Sequence, residues 1–117
     1  MERNMITTQE QVNAMVKEAQ DAAYKAAMEF FYDKLNGKDQ FACGFAWTNI
    51  YGIKGNTKLG KMLKAAGVQQ DYTKAFSIWN PSKMPVQNVD TLEAGAEAAA
   101  EVFRKYGFDA YAGSRLD

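Results

Sequence analysis

Apolar residues recur at helical spacing through the first third of the chain. They occupy positions 12, 15, 16, 19, 22, 23, 26, 27 and 30, which predicts one long helix over residues 7–36. Thr7 and Glu10 have the spacing of a capping box, and Asn36-Gly37 is typical of a left-handed helix end. Such a helix is about 42 Å long, which exceeds the width of a compact domain of this size. We therefore expect part of it to project or to pack on another chain.

Alternating patterns after residue 40 predict strands. In residues 41–52 the larger side chains stand at odd positions and smaller ones at even positions, so the two faces of this strand differ. Residues 72–80 alternate in the same way before a turn at Asn80-Pro81. Residues 84–88 fit a short edge strand, because Pro85 cannot donate a ladder hydrogen bond. Residues 108–113 form the last predicted strand.

Two shorter helices separate these strands. The first is capped by Asn56 or Thr57 and ends at Gly67, and the second begins near Asp90 and ends at Gly107. The pattern predicts an α+β fold in which residues 41–117 have the order β-α-β-β-α-β, which is the ferredoxin-like order. Another three- or four-stranded antiparallel sheet with helices on one face is the alternative.

Composition adds limits to this picture. The chain has 117 residues, of which 47% are apolar and 24% charged, so we expect one domain over residues 1–117. Its 14 basic and 14 acidic residues cancel, which leaves no global field for nucleic acid or an anionic membrane. No apolar run approaches the roughly 20 residues that span a bilayer. We expect a cytoplasmic protein without a membrane partner, with its single cysteine, Cys43, buried and inert.

Histidine is absent from the chain. This removes the usual general base at neutral pH and the commonest metal ligand, and it favours a non-enzymatic protein. We therefore assign no catalytic residue, no metal ligand and no cofactor. An enzyme in which Asp71, Asp109 and Arg115 meet at strand ends is a third alternative.

Lysines cluster around the start of the second predicted helix. Residues 55–61 have the glycine and lysine spacing of a P-loop, but Met62 stands where such a loop needs a magnesium-binding hydroxyl, so we expect no nucleotide hydrolysis. A phosphate or carboxylate contact is the functional interpretation of the cluster, and a solvated helix face is the favoured alternative. The candidate anion contacts are Lys54, Lys58 and Lys61.

Several aromatic and polar residues stand at odd-numbered positions of the predicted strands and therefore share a sheet face within each strand. On an exposed sheet face such residues stack on bases or fill a groove of a partner, whereas the commoner outcome is a core or a subunit interface. An RNA-recognition motif carries aromatic residues on its third strand, and residues 84–88 have none, so nucleic acid is not favoured. The candidate ligand or partner surface consists of Trp47, Asn49, Tyr51, Trp79, Tyr111 and Arg115.

Residues 41–56 together with the ending Ala112-Gly113-Ser114-Arg115-Leu116-Asp117 resemble small uncharacterised proteins of tailed marine bacteriophages. The resemblance implies an accessory gene product, located in the host cytoplasm if it is phage-encoded, and it implies no activity.

These patterns together favour a non-enzymatic module that self-associates and binds a protein or a small ligand. We expect a homo-oligomer, with a dimer favoured, whose contact includes the first helix. The alternative function is a weak nucleic-acid or phosphate binder that uses the Lys54–Lys64 cluster and the sheet aromatics.

Overall fold

The computed structural model describes residues 6–117. All strands pair antiparallel in one sheet of order β2-β3-β1-β4. The α+β class, the long N-terminal helix and the antiparallel sheet are therefore confirmed. In chain order the elements are α1 (Gln9–Leu35), β1 (Gly44–Tyr51), α2 (Lys58–Ala65), β2 (Gln69–Gln70), β3 (Phe76–Trp79), α3 (Val89–Lys105) and β4 (Asp109–Leu116).

The first helix is slightly shorter than predicted. Its capping box is formed by Thr8 and Gln11, because the Thr8 hydroxyl accepts from the Gln11 N–H and the Gln11 side chain accepts from the Thr8 N–H. The prediction with Thr7 was wrong by one residue. At the other end Asn36 has a left-handed backbone with φ of 54°, as predicted.

The apolar stripe of α1 is buried within this chain. The stripe lies against α3, where a Cβ added at Gly95 would lie 3.1 Å from the carbonyl oxygen of Ala23. A 27-residue helix is about 40 Å long, and the molecule measures 43 Å along its longest axis, so α1 runs the length of the molecule. The expected homo-oligomer stays a prediction, but an uncovered α1 stripe no longer supports it. The buried α1 residues are Val12, Met15, Val16, Ala19, Ala23, Ala27, Phe31 and Leu35.

The helices cover one face of the sheet. The even positions of β1 are buried on that face, where the Thr48 hydroxyl donates to the Ala96 carbonyl of α3 at 2.8 Å. Small residues there allow α3 to lie close, and a Cβ at Gly44 would meet the Val89 side chain at 2.8 Å. The odd positions of β1 lie on the opposite face, which is the candidate site.

Two helix-to-strand junctions have the same geometry. Beyond α2 the Val68 N–H donates to the Leu63 carbonyl, and beyond α3 the Phe108 N–H donates to the Phe103 carbonyl, both at 3.0 Å. The glycine that ends the helix has a left-handed backbone in both junctions, with a φ of 93° at Gly67 and 90° at Gly107. The glycine ends predicted at positions 67 and 107 are thus confirmed. The strands that follow differ, because β2 has two residues and β4 has eight.

The predicted strand over residues 72–80 was wrong in its first half. Residues 71–75 form a turn in which the Asp71 carboxylate accepts from the backbone N–H of Thr73 at 2.8 Å and of Ala75 at 3.2 Å. Tyr72 is 95% exposed on this turn. The turn joins β2, which the sequence did not predict, to β3.

Residues 84–88 are not a strand. Their pairing is limited to an isolated bridge between Cys43 and Asn88. The Asp39 carboxylate accepts from the N–H groups of Gln87 and Asn88 at 2.9 Å each, and the Asn88 side chain caps α3. The third strand of the sheet is therefore β3.

Cys43 is exposed, so the prediction of a buried thiol was wrong. It lies just before β1, where residues 40–43 are all exposed, and its apolar neighbours in sequence do not cover it. Within residues 6–117, no helix has the length and apolar character needed to cross a membrane.

Candidate functional site

One face of the sheet carries most of the predicted site residues. The register sets Trp47 opposite Trp79 and Gly113, and Tyr51 opposite Asp109. All six predicted surface residues lie on this face, which we call the aromatic face. Phe45 belongs to it as well and was missed, although the same alternation indicates it. The aromatic face consists of Phe45, Trp47, Asn49, Tyr51, Trp79, Tyr111 and Arg115.

The two indole rings form the centre of the aromatic face. The rings of Trp47 and Trp79 are stacked, with centroids 5.4 Å apart and planes 2° from parallel. Phe45 lies 5.6 Å from Trp79, and the guanidinium carbon of Arg115 lies 5.3 Å from the Phe45 ring centroid. Trp79 is 53% exposed. This row therefore offers planar apolar surface to a flat ligand.

Gly113 makes room for the Trp47 ring. A Cβ added at Gly113 would lie 2.5 Å from the indole Nε1 and 2.6 Å from Cε2, distances that side chains do not tolerate. The absence of a side chain at this position thus allows the indole to lie over β4.

A second aromatic pair stands at the other end of the face. The rings of Tyr51 and Tyr111 are 6.2 Å apart, and the Arg104 guanidinium lies 6.0 Å from the Tyr111 centroid. A hydrogen bond to Asp109 raises the pKa of Tyr111 above its ordinary value of 10.0. Tyr111 therefore keeps its phenolic proton at neutral pH.

A groove of about 520 Å³ lies between the aromatic face and the turn at residues 71–75. The Asp71 carboxylate lines it, but the hydrogen bonds from the Thr73 side chain and backbone hold that carboxylate in the turn and lower its pKa. Asp109 and Arg115 stand six residues apart on β4, which is about 20 Å along a strand. Asp71 and Arg115 of the enzyme alternative thus line the same groove, but Asp109 does not join them.

Lysines converge on a cavity of about 530 Å³ beside α2. No aspartate or glutamate lines this cavity, and its lysines have no ion pair within residues 6–117. Lys74 was missed because the β2–β3 turn, which the sequence did not predict, brings it here. Of the candidate anion contacts, Lys54 and Lys61 line the cavity and Lys58 does not. The lysine cavity is lined by Lys54, Lys61, Lys64 and Lys74 with Ile53, Gly55, Asn56 and Gln70.

The start of α2 contributes little to this cavity through its amides. The Thr57 side chain accepts from the Gly60 N–H at 3.1 Å, and the Thr57 carbonyl accepts from the Lys61 N–H at 3.0 Å. Lys58 and Leu59, whose N–H groups begin the helix, do not line the cavity, so a bound anion would be held mainly by the lysine ammonium groups.

A shallow cavity of about 440 Å³ joins the two regions. It shares Lys54 and Lys74 with the lysine cavity, and it shares Tyr51 and Thr73 with the groove on the aromatic face. The aromatic face and the lysine cavity therefore form one continuous surface.

Comparison with known proteins found no matching family model, no matching curated protein and no matching solved structure. Function is therefore inferred from the aromatic face and the lysine cavity alone.

Proposed function

We propose that the protein binds single-stranded nucleic acid, with bases stacked on the aromatic face and phosphates directed toward the lysine cavity. The observation that carries the proposal is the continuity between a stacked indole pair and four lysines without a carboxylate among them. Proteins that bind single strands combine the same two features, an aromatic platform and a basic groove.

The aromatic face suits unpaired bases. Stacking of a base on an aromatic side chain contributes about 1–3 kcal/mol and tolerates any base, because every base has a flat ring face. The Arg115 guanidinium over Phe45 adds a second flat cationic surface. Asn49 stands between the aromatic pairs, where its amide can both donate and accept at a base edge.

The lysine cavity suits the phosphates of the same strand. With a net charge of zero, the whole molecule does not attract a polyanion, so the attraction must be local. Each phosphate contact to a single strand changes the slope of log affinity against log salt by about 0.7. We expect modest affinity that falls steeply as salt is added.

The absence of aromatic residues from residues 84–88 does not count against nucleic acid, because these residues are not a strand of the sheet. The third strand is β3, whose outward positions are Ser77 and Trp79. An exposed indole on β3 beside an aromatic strand β1 supports the nucleic-acid interpretation.

We also propose that residues 41–117 form a ferredoxin-like unit. Supporting observations are that β1 and β2 run parallel with β3 between them, and that β3 and β4 run parallel with β1 between them. Each is a split βαβ arrangement, with α2 or α3 as the crossover. The short β2 and the additional helix α1 are features of this chain.

A protein partner on the aromatic face is the second candidate function. It is favoured by large exposed apolar residues such as Trp79, Tyr111 and Tyr72, which are 53%, 54% and 95% exposed. A small ligand in the groove belongs to the same class.

The phage origin and a location in host cytoplasm remain predictions.

The direct test is binding of a fluorescently labelled ten-nucleotide oligothymidine, followed by anisotropy at low salt. Trp79→Ala is expected to weaken binding roughly 5- to 150-fold, since about 1–3 kcal/mol of stacking is lost. The matched control is Tyr24→Ala, which removes an aromatic side chain of similar exposure (51%) from α1 and should leave the affinity unchanged.

A second arm tests the lysine cavity. Lys61→Gln with Lys64→Gln should reduce the salt slope by about 1.4, which is two contacts at about 0.7 each. Absence of binding by the wild-type protein at low salt, or equal affinity of the wild-type protein and Trp79→Ala, would contradict the proposal. A protein partner with unchanged binding at high salt would favour the second candidate.

A further inference from the structure

The outer edge of β4 is an eight-residue strand edge without a neighbour in the part of the chain that the structure describes. Asp117 donates its N–H to the Cys43 carbonyl of the adjacent segment, so odd positions of β4 point their backbone groups toward β1. Even positions therefore point theirs outward. One of these outward groups, the Ala110 carbonyl, accepts from the Arg104 guanidinium at 2.7 Å. A long edge whose other backbone groups are unpaired with a strand is a template for another strand.

We propose that two copies of this chain pair through their β4 edges, antiparallel and with the two-fold axis at Ala112. This pairing joins the two sheets into one of eight strands. The proposal concerns self-association and does not rest on nucleic-acid binding. Four independent features of the edge support this partner and this register.

On the aromatic face the register pairs opposite charges. With Ala112 opposite Ala112 of the second copy, Asp109 lies opposite Arg115 of that copy, and the symmetric pair repeats the contact. If the two-fold axis lay one residue further along, at Gly113, Asp109 would instead lie opposite Asp117 of the second copy. Opposite charges in directly facing positions stabilise a strand pair, and like charges destabilise it.

The same register sets Tyr111 opposite Gly113 of the second copy. An aromatic side chain covers a cross-strand glycine and shields the backbone that the glycine leaves exposed. Tyr111 is 54% exposed in the single chain, so it has surface available for this contact.

On the helix face the charges of α3 also match. Arg104 donates to the Ala110 carbonyl at 2.7 Å, and Glu93 accepts from the Ser114 hydroxyl. Arg104 also pairs with Glu97 of its own chain. Because the register places Ala110 opposite Ser114 of the second copy, Arg104 comes beside the Glu93 carboxylate of that copy as a second acidic neighbour. The two-fold axis repeats this contact as well.

The fourth feature is apolar. Leu116 is 68% exposed in the single chain, and the register places it opposite Phe108, the buried residue that begins the last segment. Pairing therefore covers an exposed leucine at each end of the contact. It also sets the two aromatic faces side by side on one surface, which doubles the length available to a ligand.

The test is the mass of the full chain in solution, measured by sedimentation equilibrium at micromolar concentration without nucleic acid. We expect a dimer. Asp109→Arg alone and Arg115→Asp alone each place like charges opposite one another at two symmetric points, and each should raise the dissociation constant about tenfold or more. The double variant Asp109→Arg/Arg115→Asp restores opposite charges and should restore the dimer.

Asp21→Arg is the control, because it reverses an exposed charge on α1 and should leave the dimer intact. A monomeric wild-type protein at 100 micromolar would overturn the proposal. A dimer that survives both single reversals would place the contact elsewhere and overturn it as well, and failure of the double variant to recover would overturn the register. None of these results depends on whether the protein binds an oligonucleotide.

Discussion

At the scale of single residues, the aromatic face depends on a position without a side chain. Gly113 on β4 leaves the space that the Trp47 indole occupies, and that ring stacks on Trp79 of β3. The Trp47 ring of β1 thus contacts both neighbouring strands, and it can do so because Gly113 has no side chain.

Gly113→Ala tests this coupling. The added methyl group would lie 2.5 Å from the indole Nε1, so the ring must move and the stack with Trp79 must change. We expect a loss of about 1–3 kcal/mol in the free energy of unfolding, measured by urea denaturation, with a weaker near-ultraviolet circular dichroism signal of the tryptophans. Ser114→Ala, at the neighbouring exposed position, should retain that signal. An unchanged tryptophan signal in Gly113→Ala would contradict the account.

The residues of the aromatic face could be predicted from the sequence because strand alternation separates the two faces. Trp47, Asn49 and Tyr51 share parity on one strand, and this holds whatever lies on the other side of the sheet. Membership of the lysine cavity could not be predicted in the same way. Lys74 reaches the cavity through the fold of the β2–β3 turn, and Lys58 does not line it although it lies only three residues before Lys61 on α2.

At the scale of elements, local hydrogen bonds determine the structure of the two segments whose predicted strands were wrong. Residues 72–80 alternate like one strand, but the Asp71 carboxylate satisfies the amides of Thr73 and Ala75 and so forms a turn. Residues 84–88 have the composition of an edge strand, but two of their backbone N–H groups donate to the Asp39 carboxylate and not to a neighbouring strand. Long helices were predicted well because their periodicity extends over many residues.

The two long helices are joined at the surface by Glu18. Its carboxylate accepts hydrogen bonds from the Lys105 ammonium group and from the Tyr106 hydroxyl, the latter at 2.7 Å. These contacts, chiefly the one from Lys105, lower the pKa of Glu18 below its ordinary value of 4.5. The folded state therefore favours the charged carboxylate.

Glu18→Gln should reduce the free energy of unfolding at neutral pH by no more than about 1 kcal/mol, since the pair is partly exposed to solvent. The contribution of the ionised Glu18 carboxylate to the free energy of unfolding is fully present above the pKa of Glu18 in the unfolded chain. It is lost as pH falls through the lower pKa of Glu18 in the folded protein. The difference from wild type should therefore shrink in urea denaturation at about pH 3. Glu29→Gln is the control, because Glu29 is an exposed carboxylate of α1 without an ion pair within residues 6–117, and its replacement should leave the free energy of unfolding nearly unchanged at both pH values. A difference of the same size at both pH values would contradict this assignment.

At the scale of the whole molecule, the position of α1 was the main feature beyond the reach of the sequence. Its length suggested a projecting element, but the molecule is elongated to 43 Å and accommodates the helix on α3. Small residues at Ala23 and Gly95 permit that approach. Whether a stripe of alanines faces its own chain or another depends on tertiary packing, which periodicity does not specify.

The same packing leaves the two surfaces of the molecule unequal. Helices bury one face of the sheet, and the other face presents the aromatic rings next to the lysine cavity. A neutral chain thus gathers unpaired positive charge and flat apolar surface in one place.

Nuclear magnetic resonance signals of the indole N–H groups report directly on whether a single strand binds at the aromatic face. The chain has two tryptophans, and both lie on the aromatic face, so each indole signal reports on that face alone. A single-stranded oligonucleotide at low salt should shift both indole signals, and added salt should reverse the shifts. Indole signals that stay in place while backbone signals of α1 move would contradict binding at the aromatic face, as would no change in any signal.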